Sequence, residues 1–304
     1  MNEKPVISVK NLTKRYGDVT ALNQISVDIP PGVTGLIGPN GAGKTTLLMT
    51  LLGLIFPDNG HAQVLGYDVV HDSLEIRRKV GVLHERPNYP EYMEVEDYLT
   101  HVADLYETSR NPAELLEMVG LQAVGHRRIH SLSGGMLRRL GVAQALVGTP
   151  EMAFLDEPTS NLDVDGRDEI INLLGELSKK YGVHFLLSSH ILTELERICD
   201  NVVFIKNGDV IGTGKTSDIL SDYSHNRYRV TCSDSLRLAE ALQEREEFQS
   251  IRALGTKVVT FTFEGENMAR IWDNVEAICK EIKIDIDSLG KSETLDDAYR
   301  EIMK

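Results

Sequence analysis

Three glycines, a lysine and two hydroxyls at fixed spacing carry the clearest chemical signal in this sequence. Gly38-Pro39-Asn40-Gly41-Ala42-Gly43-Lys44-Thr45-Thr46 fits G-x-x-x-x-G-K-[ST], the phosphate-binding loop. Glycines let the backbone bend where a Cβ would clash, so that successive N–H groups turn inward toward phosphate oxygens. The N-terminus of a following helix adds partial positive charge at the same point. Lys44 then reaches the β- and γ-phosphates, and the Thr45 hydroxyl is positioned to ligate Mg²⁺. The plain alternative is a Gly-rich turn before an ordinary helix. The flanks decide against it: residues 33–37 read as a buried strand entering the loop and 47–52 as a helix leaving it, the context that the motif requires.

Two further groups extend the chemistry. An apolar run, Met152-Ala153-Phe154-Leu155, leads directly into Asp156-Glu157. A carboxylate at the end of a buried strand can hold Mg²⁺ through water, and the next one can orient or deprotonate an attacking water. Elsewhere such an acidic pair is simply solvated; behind four apolar residues, in a chain with a phosphate loop, the functional reading is the stronger. Ser133, Gly134 and Gly135 precede a helix with basic residues, Arg138 and Arg139. They serve either as a simple cap or as an anion site built on the free N–H groups. Tyr16, upstream of the loop, offers a π-face for an adenine ring, or is a half-buried tyrosine on a sheet.

These groups need a scaffold that presents them together. Residues 6–9, 25–29, 61–65, 80–83, 152–155, 184–187 and 201–205 read as strands. Residues 73–79, 165–180 and 191–198 read as helices, and a hairpin is expected through Asn207-Gly208. Alternating strands and helices, with apolar runs as strands, predict an α/β fold with a largely parallel, covered sheet. Helical spacing at 94–106, 112–119 and 134–146 predicts a helical insert over about 88–150. From about residue 221 the pattern restarts as strand 228–232, helix 236–243, strands 251–254 and 258–263, helix 268–282, strand 284–286 and helix 294–303. That βαββαβ order predicts a small α+β, ferredoxin-like unit. The expected domains are 1–220 and 221–304, and no repeats or low-complexity tracts occur.

Composition narrows the class. With 304 residues, 41% hydrophobic and 26% charged, the chain is that of a globular protein, and its net charge of −14 is spread over both parts. A nucleic-acid surface normally shows a basic footprint, so nucleic acid is not an expected partner. No apolar run approaches the ~18 residues of a membrane span. The first residues, Met1-Asn2-Glu3-Lys4-Pro5-Val6, lack the apolar region of a secretion signal. A cytoplasmic protein is expected, with any membrane role exerted through a partner. Cys199, Cys232 and Cys279 fit no metal or disulfide spacing and are expected to be reduced thiols.

Taken together and in order, Tyr16, GPNGAGKTT, Glu85, LSGGM, AFLDEPTSNLD and Ser189-His190 resemble the ATP-binding subunit of an ABC transporter over roughly residues 4–220. The resemblance implies the P-loop NTPase (ABC ATPase) fold with ATP and Mg²⁺ as cofactors. It implies a head-to-tail dimer, expected as a homodimer, in which Ser133–Gly135 of one subunit face the γ-phosphate held by the loop of the other. It further implies that Glu157 is the catalytic base, Asp156 the metal-side carboxylate and His190 the switch residue at the γ-phosphate, and that the segment from Ser160 to Asp163 joins the two sites. Tyr16 becomes the adenine-stacking residue. A separate integral membrane permease would be the driven partner, held on the inner face of the membrane and docking near residues 85–93. Two positions depart from the usual pattern: Glu85 and Met136 stand where the family usually has glutamine. An ionised Glu85 can still bind Mg²⁺ but cannot donate a hydrogen bond. Both departures, and the ending Glu293-Thr-Leu-Asp-Asp-Ala-Tyr-Arg-Glu301, resemble an exporter-type branch with a C-terminal extension, whose members include drug, antibiotic and polysaccharide exporters. Competing readings are a DNA- or ribosome-acting ABC-type ATPase and a nucleotide sensor without turnover. The first is disfavoured by the single cassette and acidic surface, the second by the presence of both Glu157 and His190.

Overall fold

Strands at the start of the chain bury one side chain in two or three and expose the rest. β1 (Ile7–Tyr16) and β2 (Val19–Ile29) pair antiparallel in this way. The coordinates are a computed structural model that describes residues 4–223, 226–263, 268–292 and 294–303. Met1, Asn2, Glu3 and Glu293, used above in reading the two ends, lie outside the described residues.

By contrast β3 (Val33–Ile37) is buried at every position, as a strand covered on both faces must be. It feeds α1 (Lys44–Leu51), after which β4 (Asn59–Val64) returns to pair with β1. A two-residue strand that the sequence reading did not anticipate, β5 (Tyr67–Asp68), closes an antiparallel sheet of order β2-β1-β4-β5. Next come α2 (Ser73–Lys79) and β6 (Val80–Leu83). The helical insert consists of α3 (Val95–Ala103), α4 (Pro112–Met118) and α5 (Gly134–Ala145), with 3₁₀ turns at Gln122–Val124 and Ile129–Ser131. Asn111 caps α4 by accepting from the Ala113 N–H at 2.8 Å, with Pro112 in the first turn.

The chain then re-enters the main sheet through β7 (Met152–Asp156), α6 (Val164–Tyr181), β8 (His184–Ser189), α7 (Leu192–Ile198), β9 (Asn201–Lys206) and β10 (Asp209–Lys215). The order is β10-β9-β3-β8-β7-β6, parallel except for β10 at the edge. β3, β8 and β7 are therefore neighbours, and the residues following each emerge at the same carboxyl edge. That edge is where open α/β sheets bind ligands. One apolar cluster, including Ile7, Ile25, Leu36, Leu47, Phe154 and Leu186, packs β1 and β2 with α1 and the main sheet.

The chain divides into two compact units, Met1–Thr216 and Ser217–Ile302. An unanticipated helix, α8 (Thr216–Tyr223), spans that division; Thr216 Oγ1 donates to the Cys199 carbonyl at 2.7 Å. In the second unit β11 (Arg227–Cys232), α9 (Ser235–Gln243), β12 (Phe248–Leu254), β13 (Val258–Phe263), α10 (Met268–Ile282), β14 (Ile286–Lys291) and α11 (Leu295–Ile302) form a βαββαβ chain with one more helix. All neighbouring strands are antiparallel, in the order β12-β13-β11-β14, which is the split β-α-β arrangement. The last strand is displaced from the expected 284–286. Ile284 instead packs into the unit's core as α10 ends, and β14 is a polar sequence with no alternation for a sequence reading to detect. All three cysteines are free and buried.

The closing motif has a structural explanation. Asp297 Oδ1 pairs with Arg227 Nη1 at 2.6 Å, and its Oδ2 accepts from Ser292 Oγ at 2.8 Å and Thr294 Oγ1 at 2.9 Å. Both partners are nearly buried, so deleting one leaves an uncompensated charge. Arg227→Ala is expected to destabilise the second unit by about 3 kcal/mol. Differential scanning calorimetry should show its transition falling by several degrees while ATP binding by the first unit is retained; an unmoved transition would contradict this.

Candidate active site

The turn from β3 into α1 is backbone-dictated. A Cβ on Gly38 would lie 2.3 Å from the Ile205 carbonyl oxygen. Gly43 has φ +106°, and its Cβ would meet the Ala21 carbonyl at 2.5 Å. Gly43 is the N-cap of α1, whose first turn has neither a side-chain cap nor an acidic residue. A helix start without its own acceptor is suited to an anionic one. Lys44 is buried to 7% exposure, its Nζ donating to the carbonyls of Gly38 at 2.7 Å and Pro39 at 3.2 Å. Burial lowers the Lys44 pKa from its ordinary value, while Glu157, Asp156 and Glu85 act to raise it. The lysine is thus held across the loop with three carboxylates in range.

The carboxylates come from neighbouring strand ends. Asp156, the last residue of β7, accepts from Thr45 Oγ1 through Oδ2 at 3.1 Å and from Ser188 Oγ through Oδ1 at 2.5 Å. Glu157 follows in a left-handed backbone conformation, φ +48°, and its N–H is bound by Ser188 Oγ at 2.9 Å. Oε2 of Glu157 lies 2.9 Å from Nδ1 of His190, just beyond β8. An ionised carboxylate only accepts, so the shared hydrogen belongs to Nδ1. A cavity of about 390 Å³ opens over the loop and includes Lys44, Thr45, Glu85, Asp156 and Glu157 in its lining. Val19, Thr20, Ala21 and Asn207, which the sequence reading did not single out, line it too.

Not every expected residue converges there. Tyr16, at the end of β1, is 50% exposed, has Lys14 Nζ 5.6 Å from its ring centroid, and does not line that cavity. Ser133 caps α5, its Oγ accepting from the Met136 N–H at 3.3 Å. Gly134 lines a different cavity of about 210 Å³ with Glu85, Tyr89, Arg138 and Ser160. Ser133, Gly134 and Gly135 are therefore not part of the loop's own pocket.

Two buried charges tie these pieces together. Arg138 donates to the carbonyls of His84 at 3.3 Å and Glu85 at 3.1 Å, and to Ser160 at both its carbonyl and its Oγ. Burial lowers its pKa. Arg138 clips the signature helix to the loop bearing Glu85 and to the segment after Glu157. Its signal in the sequence was position: it shares the apolar stripe of α5 with Val142 and Ala145 at helical spacing. Glu194 on α7, buried to 5% exposure, accepts from Thr159 Oγ1 at 2.6 Å; burial raises its pKa, and the Thr159 bond opposes that rise. Glu194 lies one turn beyond His190, and nothing in the local sequence marked it.

A parallel sheet that sets a phosphate loop, an acidic pair and a histidine on adjacent strand ends defines a P-loop nucleoside triphosphatase. The family model described as ABC transporter matches residues 22–160. An uncharacterized ABC transporter ATP-binding protein of Bacillus subtilis (strain 168), YcbN, is 30% identical over 295 residues, covering 95% of this chain and 94% of that one. The daunorubicin/doxorubicin resistance ATP-binding protein DrrA of Streptomyces peucetius is 34% identical over 255 residues, 79% and 75% of the two chains. Among solved structures, cbiO1 from Clostridium perfringens, part of the ABC transporter complex cbiONQ, superposes with a TM-score of 0.66 at 26% identity, covering 72% of this chain and 92% of that one. The chain belongs to the ATP-binding proteins of ABC transporters. It is an ATP-binding subunit and an ATPase. Among the described residues no helix is long and apolar enough to cross a membrane.

Proposed function

We propose that this protein powers export through a separate integral membrane permease, working on its cytoplasmic face as a homodimer that encloses ATP between subunits. The observation that carries the dimer is the emptiness around Gly135. A Cβ there would meet nothing within 4 Å, and its φ is not positive, so neither packing nor backbone in this chain calls for glycine. A glycine with no internal reason, at the capped start of α5, fits a ligand approaching from outside, here the γ-phosphate on the partner subunit's loop. Ser133 and Gly134 would contribute to the same contact.

Within each loop pocket we assign Lys44 and the backbone of Gly38 to Thr46, with Pro39, Asn40, Gly41, Ala42 and Gly43, to the phosphates. Thr45 and Asp156 present two hard oxygen donors 3.1 Å apart, and Glu85 offers a carboxylate to the same cavity; this set fits Mg²⁺, which prefers few protein ligands beside phosphate oxygens. Bound Mg²⁺ would neutralise charge on the β- and γ-phosphate oxygens. Glu157 takes the proton of the attacking water; His190 steadies that carboxylate through Nδ1, and in its imidazolium form would also donate from Nε2 to the γ-phosphate. Tyr16 stacks on the adenine. Residues 1–220 act as the ATPase domain and 221–304 as an accessory domain.

Docking of the permease near residues 85–93 is supported by an exposed apolar side chain. Tyr92, within that segment, is 77% exposed. A cavity of about 220 Å³ joins Leu48, Met49, Leu52 and Phe154 to Glu85, so an occupant there would touch the hydrolytic site directly. The name of DrrA, a drug-resistance ATP-binding protein, is consistent with export. Tagged protein purified from detergent-solubilised membranes is expected to bring down a multi-spanning membrane protein, and Tyr92→Asp to lose most of it with ATP affinity unchanged. Recovery of nucleic acid or ribosomes instead would replace this reading by the DNA- or ribosome-acting alternative.

A further inference from the structure

The hydroxyl that links the two acidic residues belongs to Ser188. We propose that Ser188 is a positioning residue for hydrolysis, which aims one edge of the Asp156 carboxylate at the metal position and holds the backbone of Glu157 in its left-handed turn. The inference rests on the roles given to Asp156 and Glu157 above.

Ser188 is fully buried, and in the parallel register of β7 and β8 it is the direct partner of Asp156. A serine hydroxyl has one hydrogen to give and lone pairs to accept with. Here its hydrogen goes to Asp156 Oδ1 at 2.5 Å, and the oxygen accepts the Glu157 N–H at 2.9 Å. The short contact is in the range of a charge-assisted bond. With Oδ1 engaged, Oδ2 is the oxygen left toward Thr45, the other donor expected at Mg²⁺. The second bond restrains a residue that L-side chains rarely allow at φ +48°. The Glu157 N–H is backed by the Ser188 carbonyl at 3.2 Å. One side chain thus orients the metal-side carboxylate and the backbone that carries the base, from a buried position that does not line the cavity over the loop.

Ser188→Ala removes the hydroxyl and little else. At saturating ATP it is expected to raise the Mg²⁺ concentration for half-maximal hydrolysis about tenfold, as one lost charge-assisted hydrogen bond would. The factor by which Mg²⁺ tightens ADP binding, measured by titration calorimetry, should shrink by a similar amount, while ADP affinity without Mg²⁺ stays the same. Ser188→Thr keeps the hydroxyl and should recover the Mg²⁺ profile. Ser188→Cys, which keeps the volume but bonds weakly, gives the same comparison if the alanine variant does not fold. An unshifted Mg²⁺ profile in Ser188→Ala, beside a shifted one in Asp156→Asn, overturns the role of Ser188 and leaves the metal-side reading standing. An unshifted profile in Asp156→Asn overturns both.

Discussion

Glu157→Gln is expected to lower ATP turnover by about 10²–10⁴-fold, the usual contribution of a general base, without loss of ATP affinity. Glutamine keeps the shape and leaves the backbone bonds to Ser188 intact, because those are made by the Glu157 N–H. What it loses is the ability to take a proton. If two subunits close over ATP, the variant should accumulate as a nucleotide-bound dimer that size-exclusion chromatography separates from the ATP-free form. The neighbouring acidic group offers a control. Glu85 lines the same cavity and is about half exposed, so normal hydrolysis by Glu157→Gln would move the base to Glu85. The His190 contact predicts a related but smaller defect. His190→Ala removes the partner 2.9 Å from Oε2 and leaves the carboxylate itself.

Lys44→Ala should weaken ATP binding on the order of 100-fold, since it deletes a buried charge-assisted contact to phosphate. The ammonium already lies across the loop on the carbonyls of Gly38 and Pro39, so little side-chain ordering remains to oppose binding. It also stands among Asp156, Glu157 and Glu85; without it, three carboxylates face an incoming polyphosphate with no cation between them. Thermal shift reads the effect directly. At a hundredfold excess over Kd a ligand stabilises its protein by about 2.7 kcal/mol. ATP should raise the melting temperature of the parent protein and leave that of Lys44→Ala nearly unmoved. An equal shift in both would remove the phosphate assignment.

Much of this site is legible in the sequence. The spacing from Gly38 to Thr46 implies strand, loop and helix because consecutive backbone angles make that geometry, and β3 and α1 flank the loop as expected. The apolar run before Asp156 announced a buried strand with an acid at its end, and β7 ends there. Helix starts were equally readable at Asn111-Pro112 and at Ser133, where the cap is made by the residue itself. Edges were harder. β14 lies a few residues beyond its expected place and β5 was not expected at all, because an edge strand needs no apolar alternation; α8 was not expected because its first residue is anchored by a carbonyl seventeen positions away.

What a short stretch of chain determined by itself is the inventory: a phosphate loop, an acidic pair, a capped signature helix and a histidine, each defined by neighbours in sequence. What only the tertiary structure decided is who holds whom. Ser188 reaches Asp156 across 32 positions, Arg138 reaches Glu85 across 53, and Glu194 reaches Thr159 across 35. Those contacts depend on strand order and register, and a slip of one residue between β7 and β8 would turn Ser188 to the other face. Local spacing sets backbone angles, so it names the groups that do chemistry. The sheet sets distances, and with them which hydroxyl and which buried charge hold those groups in place.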